Sequence, residues 1–428
     1  MLLKYLYELA RILVLYVQRI YYRNPTVINE DFLKIDSPTI VVSNHPNTLL
    51  DAVFAAAAVD RQVNFLANYS LFKSKFGNWF FSTFYCIPIE RPEDVKHRPV
   101  DNQASLHRSH EFLRNGGNLY IAAEGYSIQT IGIRDLKTGA ARIALNTEYE
   151  NDWNVEIQIL PIGLNYDQAE GFRSNLVIYA GKPFKVRNWR KEFESAPRKA
   201  ARDVTDYLED QLKSLTFEGD QKRLDLLKKI RSFYNYFTPT DPKREYLRSR
   251  GFMTTLNQIN EVEIKALEDA FESFGRICRQ SNLTPQTVWQ ANNPNLKRIN
   301  ISILIWSLPI TIYGFLVNII PYFLCHWIDK IFNKHLVYKS TVRILAGLIF
   351  FPLMYLFWMK CIYIWSDSWL LTLASLFTFR RSGIFSWRQI KSWKQVSGKR
   401  KYLKRAANNS DIVNAFVSLQ TTLNNHQL

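Results

Sequence analysis

The chain has 428 residues, enough for two or three domains and a sizeable core. Its 55 Lys+Arg against 38 Asp+Glu leave a formal charge of +17, which asks for an anionic partner, nucleic acid or a lipid surface. Aromatics reach 14% and cluster with basic residues beside long apolar stretches, which favours the membrane interface and argues against nucleic acid; the scattered Cys86, Cys278, Cys325 and Cys361 argue against a disulfide framework or a zinc site.

The opening "MLLKYLYELARILVLYVQRIYYRNP" is too polar for a secretory signal and has no small-residue cleavage site. Lys4, Glu8, Arg11, Gln18 and Arg19 fall on one stripe at helical pitch and leave a wide apolar face. The spacing predicts an amphipathic helix over 1–24, packed on the protein's core or lying in the headgroup layer; the membrane signals that follow favour the second. From 25 to about 215, apolar runs at 39–43, 118–125, 156–166 and 175–184 read as buried strands, with helices at "LLDAVFAAAAVD" and "LKTGAARIALNTEYE" between them. That alternation predicts an α/β domain. Residues 216–296 read as a charged helical extension with Pro-rich punctuation near "FTPTDPKRE".

Residues 301–324 carry no charge, nor do 344–359, and the chain stays apolar and aromatic to about Phe379. A spanning helix needs about 20 apolar residues, so 297–380 is expected to hold a transmembrane hairpin, the second arm reaching past Lys360 to Trp365. The basic, Trp-rich tail at 381–428 suits an anionic cytoplasmic leaflet, while Lys330, Lys334, Lys339 and Arg343 between the two runs weigh against a simple charge rule.

The chemistry concentrates at "VVSNHPNTLLDA", 41–52. His45 stands where a buried strand ends, which is where open α/β sheets form ligand crevices. Pro46 disfavours helix at His45, Asn47 or Thr48 can cap the helix that follows, and Asp51 falls in its first turn, near enough to orient an imidazole. Alone, the stretch is equally a capping aspartate beside a turn histidine. Further residues at strand ends shift the balance: Arg91 after "CIPIE", then Glu124, Gly125 and Ser127 in "IAAEGYSIQ", and Lys137 where "DLKTGAARIAL" starts a helix. A base, an orienting carboxylate, two cations and a helix N-terminus suit transfer to a hydroxyl on a phosphorylated molecule.

The ordered series Asn44-His45-(x)5-Asp51, Ile87-Pro88-Ile89-Glu90-Arg91, Glu124-Gly125-Tyr126-Ser127 and Leu160-Pro161-Ile162 resembles the four blocks of the PlsC-type glycerolipid acyltransferases, over roughly residues 30–215. The resemblance implies an α/β domain resting on a membrane. His45 would be the general base and Asp51 its partner. Asn44, Asn47, Arg91, Glu124, Gly125, Ser127 and Lys137 would bind the acceptor, and Leu160-Pro161-Ile162 would shape the acyl side. There are departures. The commonest family spacing is one residue shorter between His and Asp, although a longer Pro-Asn form occurs in some members. Cys86 stands where Gly is usual, and Ala122-Ala123 precede Glu124. The expected protein is therefore an integral membrane acyltransferase with its catalytic domain facing the cytoplasm. It would take acyl groups from acyl-CoA or acyl carrier protein, without metal or redox cofactor, and pass them to 1-acylglycerol 3-phosphate. The long helical and apolar extension resembles the larger glycerol-phosphate acyltransferases, which keeps glycerol 3-phosphate or dihydroxyacetone phosphate open as acceptor. A non-catalytic lipid-binding protein would explain the apolar runs and basic tail, but not the gathering of polar residues at strand ends.

Overall fold

The computed structural model describes residues 2–91, 95, 99–127, 131–235, 241–292, 299–332, 335–407, 410–426 and 428. By contacts the chain forms two compact units, Met1–Glu218 with Leu336–Thr341, and Gly219–His335 with Val342–Leu428.

The first unit begins with α1 (Leu2–Tyr21). It turns Tyr7, Gln18 and Tyr21 inward, with Arg11 Nε donating to the Ala57 carbonyl at 3.0 Å and Val63 N donating to Tyr7 Oη at 3.1 Å, while Lys4 and Arg19 of the polar stripe stay exposed. Leu2, Tyr5, Leu9, Ile12 and Tyr16 are exposed, so the apolar face predicted for this helix is turned away from the unit's core.

An eight-stranded sheet follows, from β1 (Thr26–Ile28), β2 (Thr39–Ser43), β3 (Asn64–Asn68), β4 (Cys86–Ile89), β5 (Leu119–Ile121), β6 (Gln158–Tyr166), β7 (Leu176–Ala180) and β8 (Phe184–Lys185). The order is β1-β7-β6-β2-β5-β3-β4, with β8 paired to β6. β2 is β-branched from Thr39 to Val42 and buried along its whole length, as a strand covered on both faces must be. It pairs in parallel with β5 and β6, and β3 pairs in parallel with β5 and β4, so the C-terminal ends of these five strands share one edge. β7 and β8 pair antiparallel to β6, and β1, parallel to β7, shares their direction. The helices of this unit are α2 (Leu49–Ala58), α3 (Lys75–Thr83), α4 (Gln103–Arg114), α5 (Gly139–Glu150), α6 (Arg190–Ser195) and α7 (Pro197–Leu215). Small residues of α5 (Ala140, Ala144) and apolar ones of α7 (Val204, Leu208) pack with Ile40, Leu119 and Ile159 in the core. β1 and β3 are absent from the sequence reading, and the run at 118–125 yields a strand of three residues, because Ala122–Gly125 leave the sheet in a turn closed by Gly125 N to Ala122 O at 3.1 Å.

The second unit is helical: α8 (Gln221–Asn235), α9 (Pro242–Gln258), α10 (Glu261–Gln280), α11 (Pro285–Asn292), α12 (Ile301–Trp306), α13 (Leu308–Phe332), α14 (Lys339–Ser366), α15 (Trp369–Ala406) and α16 (Asp411–Asn425). Local chemistry sets several ends. Asp241 caps α9 ahead of Pro242, and Asn260 with Glu263 forms a reciprocal capping box on α10. The first uncharged run breaks at Ser307, just before Pro309, which fits the first turn of a helix but not its interior. α13 and the segment Leu336–Ser366 are each long and apolar enough to cross a membrane. The boundary expected at 380/381 is not a structural one: α15 runs through it unbroken, its Ser386 Oγ donating to the Thr311 carbonyl at 2.8 Å. The expected boundary at 296, the Pro-rich residues 237–240 and Lys334 lie outside the described residues.

Candidate active site

The site is built where β2 ends. Asn44 locks that end to β6: its Oδ1 accepts from Leu164 N at 2.7 Å and its Nδ2 donates to Leu164 O at 3.0 Å. Both ends of the amide are thereby used inside the core, where the sequence reading expected an acceptor contact. The turn then runs through Pro46 to Thr48, whose φ of +50° is one a β-branched residue rarely adopts and which costs about 1–3 kcal/mol. Surrounding bonds hold it there. Thr48 N donates to Ser127 Oγ at 3.0 Å, and Thr48 Oγ1 donates to the Val337 carbonyl at 3.2 Å.

Leu49 opens α2, so Asp51 lies in the first turn, fully buried. Its Oδ2 sits 3.3 Å from His45 Nδ1 and accepts from Asn47 N at 2.5 Å, while Oδ1 accepts from Tyr166 Oη at 2.8 Å. Burial raises the Asp51 pKa, and His45, the Asn47 amide and Tyr166 each oppose that rise. The imidazole approaches Asp51 off the line of a well-formed hydrogen bond, and Nδ1 has no other partner among the described residues. Nδ1 thus faces the carboxylate and Nε2 is left for a substrate proton.

Glu124, Gly125 and Ser127 leave the end of β5, the neighbour of β2. Glu124 Oε1 accepts from His45 N at 3.0 Å, and Ser127 Oγ donates to His45 O at 2.6 Å. The two side chains therefore brace the histidine's own peptide groups from both sides, a role the sequence did not assign them. Glu124 is buried, which pushes its pKa up to about 7 against the opposing pull of the His45 amide. Gly125 has φ +81°, open to glycine at no steric cost, and a Cβ there would stand 3.6 Å from Lys137 Cγ. Lys137 is exposed, and its backbone N bonds to Ala123 O at 2.8 Å ahead of α5, whose N-terminal end favours an anion.

Arg91 follows β4 on the same sheet edge as His45, but three strands out, about 14 Å away at ordinary strand spacing. The structure thus brings together His45, Asp51, Glu124, Gly125, Ser127 and Lys137, and sets Arg91 at the rim. Leu160–Ile162 is buried mid-strand in β6, paired to Val41–Ser43 of β2, so it packs the sheet and does not line a crevice.

Sequence reasoning missed four residues here. Tyr166 ends β6 and bonds Asp51. Tyr22 and Ser340 surround the buried Asn47: Asn47 Nδ2 donates to Tyr22 Oη at 2.8 Å, and Ser340 Oγ is within 2.9 Å of Asn47 Oδ1 and 2.8 Å of Ala169 O. Asn47, expected at the acceptor, is thus buried and bonded within the fold. The fourth is Arg134. Its guanidinium lies 4.7 Å over the Tyr126 ring, its charge lowers the Glu124 pKa, and its buried Nη1 has no hydrogen-bond partner among the described residues. Only the run of cations through "IRDLK" marked it in the sequence. Among the described residues no group of His, Cys, Asp and Glu is arranged to hold a metal ion.

Residues 20–165 match the family model described as Acyltransferase. Over 284 residues, 60% of this chain and 37% of the relative, the sequence is 25% identical to Glycerol-3-phosphate O-acyltransferase 1 of Saccharomyces cerevisiae. Over 125 residues, 28% of this chain and 18% of the relative, it is 30% identical to Uncharacterized acyltransferase C1718.04 of Schizosaccharomyces pombe. The chain therefore spans well under half the length of these relatives. Among solved structures, the 1-acyl-sn-glycerophosphate acyltransferase PlsC of Thermotoga maritima aligns with a TM-score of 0.36 at 17% identity, covering 50% of this chain and 80% of that one.

Proposed function

Residues 20–165 form a domain of the acyltransferase family, and from that premise we propose that the protein moves a fatty acyl group from a thioester to a hydroxyl of a phosphorylated glycerol at a membrane surface. The observation that carries this is His45 held between Asp51 at Nδ1 and Glu124 and Ser127 at its backbone, with Nε2 left to act. In this reading Nε2 takes the proton of the acceptor hydroxyl as its oxygen attacks the thioester carbonyl. Asp51 stabilises the imidazolium that forms. The tetrahedral intermediate collapses, the C–S bond breaks, and the thiolate recovers the proton from His45. The thioester is already activated, so the transfer needs no metal or redox group. Acyl-CoA and acyl carrier protein both supply such a thioester.

Arg134, whose buried Nη1 has no hydrogen-bond partner among the described residues, and Lys137 beside the N-terminus of α5 suit the acceptor's phosphate, with Arg91 reached by a larger substrate. Glycerol 3-phosphate is the acceptor we favour over lysophosphatidate, because the match to the yeast enzyme of that name extends over 60% of this chain. The outward apolar face of α1 and the exposed Phe76 and Trp79 of α3 give this unit a surface suited to the bilayer interface. The basic, Trp-bearing stretch of α15 suits an anionic leaflet such as the cytoplasmic one. Membranes holding the protein, given labelled oleoyl-CoA with either acceptor, test the choice. Product from glycerol 3-phosphate supports it, and product from lysophosphatidate alone overturns it.

A further inference from the structure

The start of α14 and the few residues before it pack beside the His45 turn. Leu336–Thr341 belongs to the α/β unit, and Ser340 is fully buried between Asn47 and Ala169, with Thr341 Oγ1 3.2 Å from Thr48 Oγ1. The chain therefore leaves the α/β unit after Glu218 and is back in it by Leu336. A water-soluble α/β unit lies on one side of a bilayer, so residues 219–335 must cross an even number of times. Among the described residues there, α13 is the one helix long and apolar enough to cross. The undescribed gaps, 236–240, 293–298 and 333–334, fall far short of the roughly 20 residues a span needs. One candidate and an even count leave zero crossings.

The same reasoning applies to α14 and α15. Chain continuity keeps α11 on the catalytic side, since no candidate span precedes it. Tyr402 of α15 donates to Asn292 Oδ1 of α11 at 3.0 Å, and Gly398 packs on Thr287 of α11. α14 thus starts on the catalytic side and α15 ends there. From Trp369, α15 runs only eleven uncharged residues before Arg380 and Arg381, a rise of about 16 Å, roughly half of a bilayer's ~30 Å core. That arm is too short to return from the far side.

Both helices still need an apolar partner. Trp365 is 86% exposed, Leu370 79% and Phe377 69%. The partner is lipid: the exposed residues flank a hairpin turn, and the basic run from Arg380 to Lys394 follows it directly, as acyl chains below anionic headgroups would require.

We propose that α13 and the α14–α15 hairpin embed in the bilayer from the catalytic side and that neither carries the chain across it, so that Leu336–Thr341 can serve as a wall of the acyl-transfer site. Hydropathy alone is equally met by a transmembrane hairpin, and the test below separates the two arrangements. The embedded arrangement rests on the membrane reading alone and does not depend on the reaction.

The test uses the full chain in sealed vesicles and a membrane-impermeant maleimide. In a background with Cys86, Cys278, Cys325 and Cys361 replaced by Ala, single cysteines are placed at Lys191→Cys, Lys330→Cys, Asp367→Cys and Gln420→Cys. Lys191→Cys, Lys330→Cys and Gln420→Cys are expected to label from the same side, and Asp367→Cys from neither side until detergent is added. Labelling of Asp367→Cys from the side opposite Lys191→Cys, or of Lys330→Cys from that opposite side, overturns the proposal. Should the cysteine-free chain fail to fold, trypsin added on the catalytic side of vesicles holding the wild-type protein answers instead. Cleavage after Lys330 is expected, and its protection until the vesicles are lysed contradicts the proposal. Neither readout uses acyl transfer, so a failure of the functional reading stays separate.

Discussion

Tyr166→Phe removes one atom from the heart of the site. Its hydroxyl donates to Asp51 Oδ1 at 2.8 Å, and both residues are buried. Phe keeps the ring in its packing against Tyr22, 5.3 Å centroid to centroid, so the core shape persists. The lost bond is one to a charged acceptor without water to replace it, worth about 1.5–3 kcal/mol. Asp51 is already raised by burial, and Tyr166 is one of the groups opposing that rise, so its removal lifts the Asp51 pKa further. Protonated Asp51 cannot stabilise an imidazolium. The variant should lose roughly 10- to 100-fold in kcat if the whole of that energy is felt in the transition state. The acid limb of its pH–rate profile should move to higher pH, with KM for the acceptor little changed. The assay is acyl transfer across pH 5–9 beside a thermal unfolding curve. Unaltered kcat and an unaltered acid limb in a folded Tyr166→Phe would refute the role given to Asp51.

Glu124→Gln tests the buried acid. Its rise from 4.5 to about 7 means that the protonated form is the more stable one in the fold, so the associated stability is present below about pH 4.5 and is lost as pH climbs to about 7. That difference amounts to about 3 kcal/mol, and wild type should fall by this much relative to Glu124→Gln between pH 4.5 and 8 in denaturant titrations. Parallel curves for the two proteins would contradict it. Ser340→Ala removes the donor to Asn47 and should slow transfer about tenfold, at a cost near 1 kcal/mol in stability; normal rates would detach the 336–341 segment from the site. Arg134→Ala should raise the acceptor's KM more than Arg91→Ala does, and the reverse order would move the phosphate to the rim. Gly125→Ala forces φ +81° on a residue with a Cβ, and should lower stability by about 1–2 kcal/mol; an unchanged unfolding midpoint would show that the turn relaxes freely.

The parts of the site that were legible in the sequence are those set by short-range order. His45 and Asp51 meet because Pro46 ends the strand and Asp51 then falls in the first turn of α2, a distance of six residues. Glu124, Gly125, Ser127 and Lys137 follow because β5 neighbours β2, which the βα alternation suggests. Tyr166, Tyr22 and Ser340 were not legible. Tyr166 reaches Asp51 across 115 residues and Ser340 reaches Asn47 across 293, and no local pattern encodes such pairings. The buried bonds of Asn44 and Asn47 were not legible for a related reason: a polar residue beside a turn histidine looks the same in sequence whether its amide faces a substrate or the edge of the next strand. In the fold, β1 escaped because three residues carry too little periodicity, and β3 because "NFLAN" has polar ends and is half-buried throughout. Hydropathy found the two apolar helices; the bonds of Ser340 and Thr341 to Asn47, Ala169 and Thr48, on which the proposed topology rests, have no local signal.

The central claim is that His45 performs the transfer. The most direct measurement is acyl transfer from labelled oleoyl-CoA to glycerol 3-phosphate by purified protein in vesicles, wild type against His45→Ala, with unfolding curves for both. The account expects a loss of more than about a thousandfold in the variant, within the range for a general base and well beyond a binding defect, with an unchanged unfolding midpoint. A folded His45→Ala that transfers at close to the wild-type rate would contradict it.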